Sequence, residues 1–565
     1  MTRRQFALYA DAARSMRARQ IAHRARRVVP VRLLAAGTRT RTPTAWHPLA
    51  DGLAIDPAPQ SGPQSAPARS GTFNFVGASR PFTDTPHFWH TGREGLLFAF
   101  HLHGFAELSR YTATQRTAEA DDFWRTVLAS WLKHASEPAD PGWHPYPLSG
   151  RIMAWCAALS AGGWPDPLSG QMLASLTRQA QLLRRSIEHD IGGNHVLRNA
   201  AALIFAGASL ADPELERRGL ALLRRELRSQ LLADGGHEER STAYHRAIRA
   251  ELDDVAALLG RTDRAAPGWL LDACERMRSW ERALRGPDGR LPLFNDAWEG
   301  PPEPDTPSAA REAVTVLRDS GYVALRHSGD QLVADAGPVA PRHLPAHAHA
   351  DVLSFVLWAD GRPLVVDPGS FTYAGPLRNT FRGTAAHNTV EVDGADQCEL
   401  WGDFRAAFVP RVTRLDISAH GDVTVVAARH DGYRRLPDPV LHERWFCWIP
   451  GDGLVVVDVL HARRAHRAMS RLHLAPGVSS ADGARVGPFA LQPLGAALTS
   501  SVTAGAYAPY LGVQREIEVI ELAGDVPPGA PFGWALLRPG AEASLEGTAL
   551  TLNRRGGARV TLQLR

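Results

Sequence analysis

The spacing of apolar residues in this chain changes period once, near residue 320, and that change limits the fold more than any motif does. From about residue 90 to 320 the apolar positions recur at helical spacing, as in D-D-F-W-R-T-V-L-A-S-W-L, Q-M-L-A-S-L-T-R-Q-A-Q-L-L-R-R-S-I and H-V-L-R-N-A-A-A-L-I-F-A-G-A-S-L. Short Gly, Pro and Asp breaks separate the runs. Consecutive helices of this kind stack as antiparallel pairs, and without a strict sequence repeat they favour a toroid over a solenoid. From there to Arg565, short β-prone runs alternate with Gly, Asp and Pro turns, as in D-S-G-Y-V-A-L-R-H-S-G-D-Q-L-V-A-D-A-G and V-L-W-A-D-G-R-P-L-V-V-D, a hairpin pattern. The expected fold class is α+β multidomain, a helical toroid followed by an antiparallel β-sandwich. The expected division is a basic N-terminal helix and a Pro/Gly/Ser-rich segment over 1–75, the toroid over 76–318 and the sandwich over 319–565. A cleft between the two larger parts is where a site is expected.

Composition narrows the function classes. With 565 residues and 44% hydrophobic content, the chain builds large cores in more than one domain. The net charge of +4 is small for this length, and Lys133 is the only lysine, so the arginine content reflects a compositional bias and not a nucleic-acid footprint. The four cysteines form no C-x-x-C pair, which argues against a thiolate zinc motif. The N-terminus, M-T-R-R-Q-F-A-L-Y-A-D-A-A-R-S-M-R-A-R-Q, is basic and amphipathic and lacks the apolar core of a signal peptide, and no apolar run reaches bilayer length. Cytoplasmic placement without a standard export signal is the simplest expectation. Resting of this helix on a membrane surface is the alternative.

Chemistry concentrates in four stretches. H-A-H-A-D-V-L-S-F carries His347 and His349, with Asp367 closing the hairpin that follows. I-G-G-N-H-V-L-R-N-A carries Asn194 and His195. D-G-G-H-E-E-R-S-T-A-Y-H-R carries His237, Glu238, Glu239, Arg240 and Tyr244, and F-R-G-T-A-A-H-N-T-V carries Arg382, His387 and Asn388. Each has a structural reading as well. Asn194 after two glycines caps a helix, Tyr244 fits a core, and carboxylates in E-E-R are commonly solvated ion-pair partners. Their joint presence in one chain is what points to a site.

Together with W-H-P-Y-P-L-S-G-R, P-L-V-V-D-P-G-S-F-T-Y and A-A-H-N-T-V-E-V-D-G, these stretches occur in the order found in the heparinase II/III-like polysaccharide lyases, a family that includes alginate and heparin lyases, and the chain resembles that family over about residues 75–400. The F-N-F-V-G opening at Phe73 resembles the subgroup associated with bacterial surface-polysaccharide biosynthesis. The resemblance implies an incomplete (α/α) toroid followed by a β-sandwich. It also implies β-elimination on a uronic-acid-containing glycan. Removing the C5 proton loads charge onto an adjacent carboxylate, so the chemistry needs a donor for that carboxylate, a base and an acid. Asn194 matches the neutraliser with His195 beside it, Tyr244 the proton carrier, and His347 the catalytic histidine. Tyr146, His237, Glu239, Arg240, Tyr373, Arg382 and His387 are the expected substrate-binding residues. The two arginines are expected to clamp a carboxylate, since a guanidinium fork suits one. The resemblance further implies one structural zinc ion held by His349 and Asp367. The third ligand stays open: His387 is assigned to the cleft, and Cys398 is a chemically suitable alternative. The acidic polysaccharide is the expected partner, nucleic acid is not, and family members are commonly exported, which sets a periplasmic expectation beside the cytoplasmic one.

Two rival readings remain. A glycoside hydrolase needs two carboxyls flanking the bond, and Glu238, Glu239 and Asp351 are the available groups. A non-catalytic glycan-binding or exopolysaccharide assembly protein keeps the cleft without turnover.

Overall fold

A computed structural model describes residues 2–26, 46–49, 70–90, 92, 94–113, 116–138, 141–261, 265–303, 313–481 and 483–564. Most of the Pro/Gly/Ser-rich segment lies outside the described residues. Two N-terminal helices, α1 (Arg3–Ser15) and α2 (Ala18–Arg26), lead to a short hairpin, Thr72–Phe75 with Ala78–Pro81. The helical series follows: α3 (Gly95–Gly104), α4 (Ala106–Thr112), α5 (Ala118–His134), α6 (Pro145–Ala161), α7 (Leu168–Leu183), α8 (Gly193–Ser209), α9 (Pro213–Gln230), α10 (Thr242–Arg261) and α11 (Gly268–Leu284). They form an incomplete (α/α) toroid around one large apolar core in which α6 and α8 are the most buried helices.

The run Gly92–Leu108, periodic enough to suggest a single helix, is two. Phe105 adopts a left-handed conformation, φ 57°, between α3 and α4. That turn drives its ring against Trp89, Trp131 and Trp155 at 5.8–6.3 Å between ring centres. Burial of an aromatic side chain outweighs the local strain of about 1–3 kcal/mol.

Among the described residues after α11 the regular structure is β apart from a short helix, α12 (Pro376–Arg382), and two 3₁₀ turns, Thr384–Ala386 and Gly432–Arg435. Strands Val314–Leu317, Tyr322–His327, Asp330–Asp335, Phe355–Ala359 and Arg362–Val365 form a five-stranded antiparallel meander. Its last hairpin turns at Asp360-Gly361, both at positive φ, as two-residue hairpins require. The central strands are buried on both faces, so their sequences read as continuous apolar runs. One face meets α11 through Trp280, Leu284, Tyr322 and Trp358. The other meets an eight-stranded sheet, where Phe355 packs on Phe446 and Trp534 with ring centres 5.6–5.8 Å apart, and a four-stranded sheet that brings Leu472, Ile520 and Leu522 to the same core. A three-stranded sheet at the C-terminus closes the far side.

α1 and α2 lie across the seam between toroid and β layers. Gln20 is buried, and its amide donates to the Ile191 carbonyl on the toroid side at 3.2 Å and the His343 carbonyl on the β side at 3.3 Å. No helix among the described residues is long and apolar enough to cross a membrane.

Trp280 is the wedge that joins α11 to the meander: its indole N–H donates to Ser320 at 2.9 Å, and its ring stacks on His245 and edges Tyr322. Trp280→Ala should cost about 3–5 kcal/mol of stability, read as a lower urea midpoint in tryptophan fluorescence and circular dichroism together. An unchanged midpoint would show that the interlayer contact does not depend on it.

Candidate active site

The site is assembled where the N-terminus of α8 faces the loops of the β layers. Gly192 and Gly193 turn at φ 84° and 55° to start α8, and a Cβ on Gly193 would overlap both Glu239 and Leu344. Glycine is needed there for conformation and for space. Into that space comes the Glu239 carboxylate, which accepts the Asn194 backbone N–H at 2.7 Å and its side-chain amide at 2.9 and 3.1 Å. A helix N-terminus favours such an anion. Burial raises the Glu239 carboxyl, but His347, His237 and the Asn194 donors outweigh it and hold it below its ordinary range. An ionised carboxylate only accepts, so it fixes the flip of the Asn194 amide with Nδ2 toward Glu239. His195, next on α8, bonds Glu188 at 3.1 Å and packs on the Tyr146 ring at 4.7 Å. Glu188 is buried, which opposes ionisation, yet His195 and His144 hold its carboxyl down at about 2.

Tyr244 sits in the first turn of α10. Its ring lies 4.0 Å from the His347 ring, and its hydroxyl oxygen accepts the Tyr373 hydroxyl at 3.1 Å. Burial, with Tyr373 and Tyr146 nearby, pushes the Tyr244 phenol well above its usual range. His347 donates from Nδ1 to Asp296 at 2.9 Å and turns Nε2 toward Glu239 at 3.5 Å. Asn194, Tyr244, His347 and Tyr373 each keep 5–8% of their surface exposed, whereas His349, Asp367 and His387 keep at most 1%. The first four face the seam, and the last three lie beneath it.

Asp296 is the group that sequence reasoning missed. It accepts His347 Nδ1–H, His349 Nε2–H at 3.0 Å, the Ser370 hydroxyl at 3.0 Å and both terminal nitrogens of Arg378. Burial opposes its charge, but Arg378 and the two histidines hold the carboxyl well below its usual range. Nothing in F-N-D-A-W marks it: its partners lie 51 to 82 residues further on. A weak signal exists in Asn295, which adopts φ 60°, as asparagine tolerates, and accepts the His349 backbone N–H.

His387 lies with His349 and Asp367 in a buried trio whose geometry could hold a metal ion. One ligand atom from each of His349, Asp367 and His387 lies within 4.8 Å of the others. Two ring nitrogens, His349 Nδ1 and His387 Nε2, are buried without a hydrogen-bond partner, and an N,N,O donor set with orphaned nitrogens fits a metal ion. Cys398 does not belong to this group. It packs with Ala350 and Ala406, and burial pushes its thiol up to about 12, so it is not a thiolate.

Several expected substrate contacts are turned inward. Arg240 is buried, pairs with Asp335 at 2.5 Å, donates to the Ser320 carbonyl and lies over the Tyr322 ring. It joins the toroid to the meander and does not clamp a substrate. Arg382 is fully buried and donates to the Ala348 and Asp403 carbonyls, shaping the His347–His349 turn. His237 lies behind Glu239, between its backbone N–H and Gln230. His387 faces the metal group and not the seam. Glu239 contacts Asn194, and Tyr146 lines the wall beside His195 with Arg198 over its ring. The hydrolase carboxyls do not pair: Glu238 faces Arg17 and His343, Glu239 is engaged by Asn194, and Asp351 is fully buried.

Comparison with known proteins agrees with this architecture. Residues 102–317 match the Heparinase II/III N-terminus and residues 309–530 the Heparinase II/III-like, C-terminal region. A heparin-sulfate lyase of Bacteroides stercoris is 27% identical over 314 residues, 47% of this chain and 43% of the relative. The chain thus aligns with less than half of that lyase's length. FtsZ-localized protein C of Caulobacter vibrioides is 26% identical over 423 residues, 69% of this chain and 70% of the relative. Among solved structures, heparinase III superposes with a TM-score of 0.71 at 16% identity over 94% of both chains. A mutant of the heparan sulfate lyase HepC from Pedobacter heparinus gives 0.63 at 17% identity, over 94% of this chain and 93% of that one. From its two matched regions and its toroid-and-sandwich architecture, the chain belongs to the heparinase II/III-like family.

Proposed function

We propose that this protein is a polysaccharide lyase that cleaves a uronic-acid-containing glycan by β-elimination. The observation that carries the reading is the His347 imidazole, packed against Tyr244 and held at Nδ1 by Asp296, with Nε2 on the side of Glu239 and the Asn194 amide. Asp296 keeps the hydrogen on Nδ1, so the lone pair of the neutral ring is on Nε2, the atom that takes the C5 proton. Tyr244 keeps its own proton because burial disfavours the phenolate, and its oxygen already accepts from Tyr373. Its hydrogen is therefore free for the departing glycosidic oxygen. Asn194 has two amide hydrogens. Glu239 engages the amide from one side, and the remaining hydrogen is the donor for the substrate carboxylate as charge builds on it. His195, set by Glu188, stands beside it. A zinc ion on His349, Asp367 and His387 would supply a structural cross-link beneath these residues and no reacting group.

A second reading rests on FtsZ-localized protein C, which is matched over a larger share of its length than the Bacteroides lyase is. In that reading the protein binds a glycan or takes part in assembly at the cell envelope without turnover.

Incubation of the purified protein with a panel of uronate glycans separates the two. Ultraviolet absorbance from a new double bond conjugated to the uronate carboxyl supports the lyase, and glycan retention without that absorbance supports the second reading. Tyr244→Phe should abolish the absorbance with the circular dichroism spectrum unchanged, and full activity in that variant would remove Tyr244 from the chemistry. Asn194→Ala should lower kcat by roughly 10²–10³, the effect of losing one donor to a developing oxyanion. A loss confined to KM would assign Asn194 to ground-state binding alone.

A further inference from the structure

The two imidazoles of H-A-H hang on one carboxylate by opposite ring nitrogens. His347 gives Nδ1–H to Oδ2 of Asp296, and His349 gives Nε2–H to Oδ1. Each ring has one hydrogen when neutral, so each is left with a lone pair on its other nitrogen. For His347 that nitrogen is Nε2, on the side of Glu239 and the Asn194 amide. For His349 it is Nδ1, buried with no hydrogen-bond partner beside Asp367 and His387. Arg378 spans both oxygens of the same carboxylate, and Ser370 donates to Oδ1. We propose that Asp296 is a positioning residue that sets the tautomers of both histidines at once, directing one lone pair to the substrate proton and the other to the metal group. The proposal rests on the lyase and zinc readings above for what those lone pairs do, but the tautomers themselves are independent of them.

A carboxylate suits the task because it offers two acceptor oxygens and no hydrogen. A carboxamide of the same shape offers one oxygen and one NH₂. Whichever way it is flipped, its hydrogens face one of the two rings, and that ring must turn its lone pair inward and its hydrogen outward. The outward hydrogen then either blocks Nε2 of His347 or removes Nδ1 of His349 as a ligand. Loss of an outer carboxylate that orients a metal-binding histidine costs about 10–100-fold in metal affinity.

The test uses the full chain with ¹⁵N-labelled imidazoles. The ring signals are assigned by His347→Gln and His349→Gln, and zinc affinity is measured by competition with a chelator. The zinc-free wild type should show Nδ1–H for His347 and Nε2–H for His349. Asp296→Asn should move one ring to the other tautomer, and where that ring is His349 it should weaken zinc binding by about 10–100-fold. Because Asp296→Asn leaves Arg378 without its charge partner, the same measurements are made on Asp296→Asn/Arg378→Gln, which removes both charges and should reproduce the tautomer change in a folded protein. Retention of both wild-type tautomers in either folded variant overturns the proposal, as does a switched His349 tautomer with zinc affinity within about twofold of wild type. If the wild type binds no zinc, the metal reading fails by itself, and the tautomer signals still decide the role of Asp296.

Discussion

One ionised carboxylate, taken out of water entirely, holds this site together. Asp296 is 0% exposed, and a buried carboxylate costs several kcal/mol even after its surroundings relax. Five donors from four residues offset that cost, and all four residues lie on the β side of the seam, while Asp296 itself follows directly on the toroid. The ion cage therefore closes only when the two layers dock. Arg240 makes the reciprocal connection, a toroid arginine whose charge is met by Asp335 of the meander. Buried ion pairs of this kind are poor sources of net stability but strongly penalise misdocking, because a slipped interface leaves each charge unpaired. Apolar contacts such as Trp280 on the meander supply the adhesion, and the charges supply the register.

This division explains what could be read from the sequence. The period change near residue 320 is a property of local pattern, and the helices, the meander and the Asp360-Gly361 hairpin all follow from it. The seam residues Asn194, Tyr244 and His347 were legible because they lie in compact motifs. Asp296 and Arg378 were not, because a charge cage drawn from distant segments leaves no periodic trace. Arg240 and Arg382 show the converse error. Within a motif an arginine suggests an anion clamp, and only burial and partners reveal that its fork is spent on the protein's own carbonyls and on Asp335. Cys398 was misread for a similar reason: thiolate chemistry was inferred from residue type, whereas its apolar setting keeps the proton on sulfur.

Glu239 raises a question of charge that the surrounding groups answer. A substrate carboxylate brought to Asn194 approaches an anion already seated on the same amide. Two such groups repel unless cationic or donor groups lie between them. His347 stands within 3.5 Å of Glu239, and the N-terminus of α8 points its backbone donors at the same place. In the proposed elimination, His347 becomes a cation beside Glu239 as it takes a proton from the sugar, while the developing charge forms on the other side of Asn194. Glu239 therefore favours the protonated imidazole that the reaction creates more than the neutral one it starts from, which is the difference that accelerates a step.

The N-terminal helices extend the same logic of polar registration. Their sequence, basic and amphipathic, suggests a surface helix, and Phe6 and Ile21 are indeed exposed. Yet the polar face is committed to both layers: Arg19 pairs with Glu226 of the toroid, Arg4 with Glu399 of the β part, and Gln20 binds a carbonyl on each side. The carbonyls that Gln20 chooses, Ile191 and His343, lie three and four residues before Asn194 and His347. A change in the angle between toroid and sandwich would separate those two carbonyls and break both bonds at once. The helices thus tie together the two segments that carry Asn194 and His347.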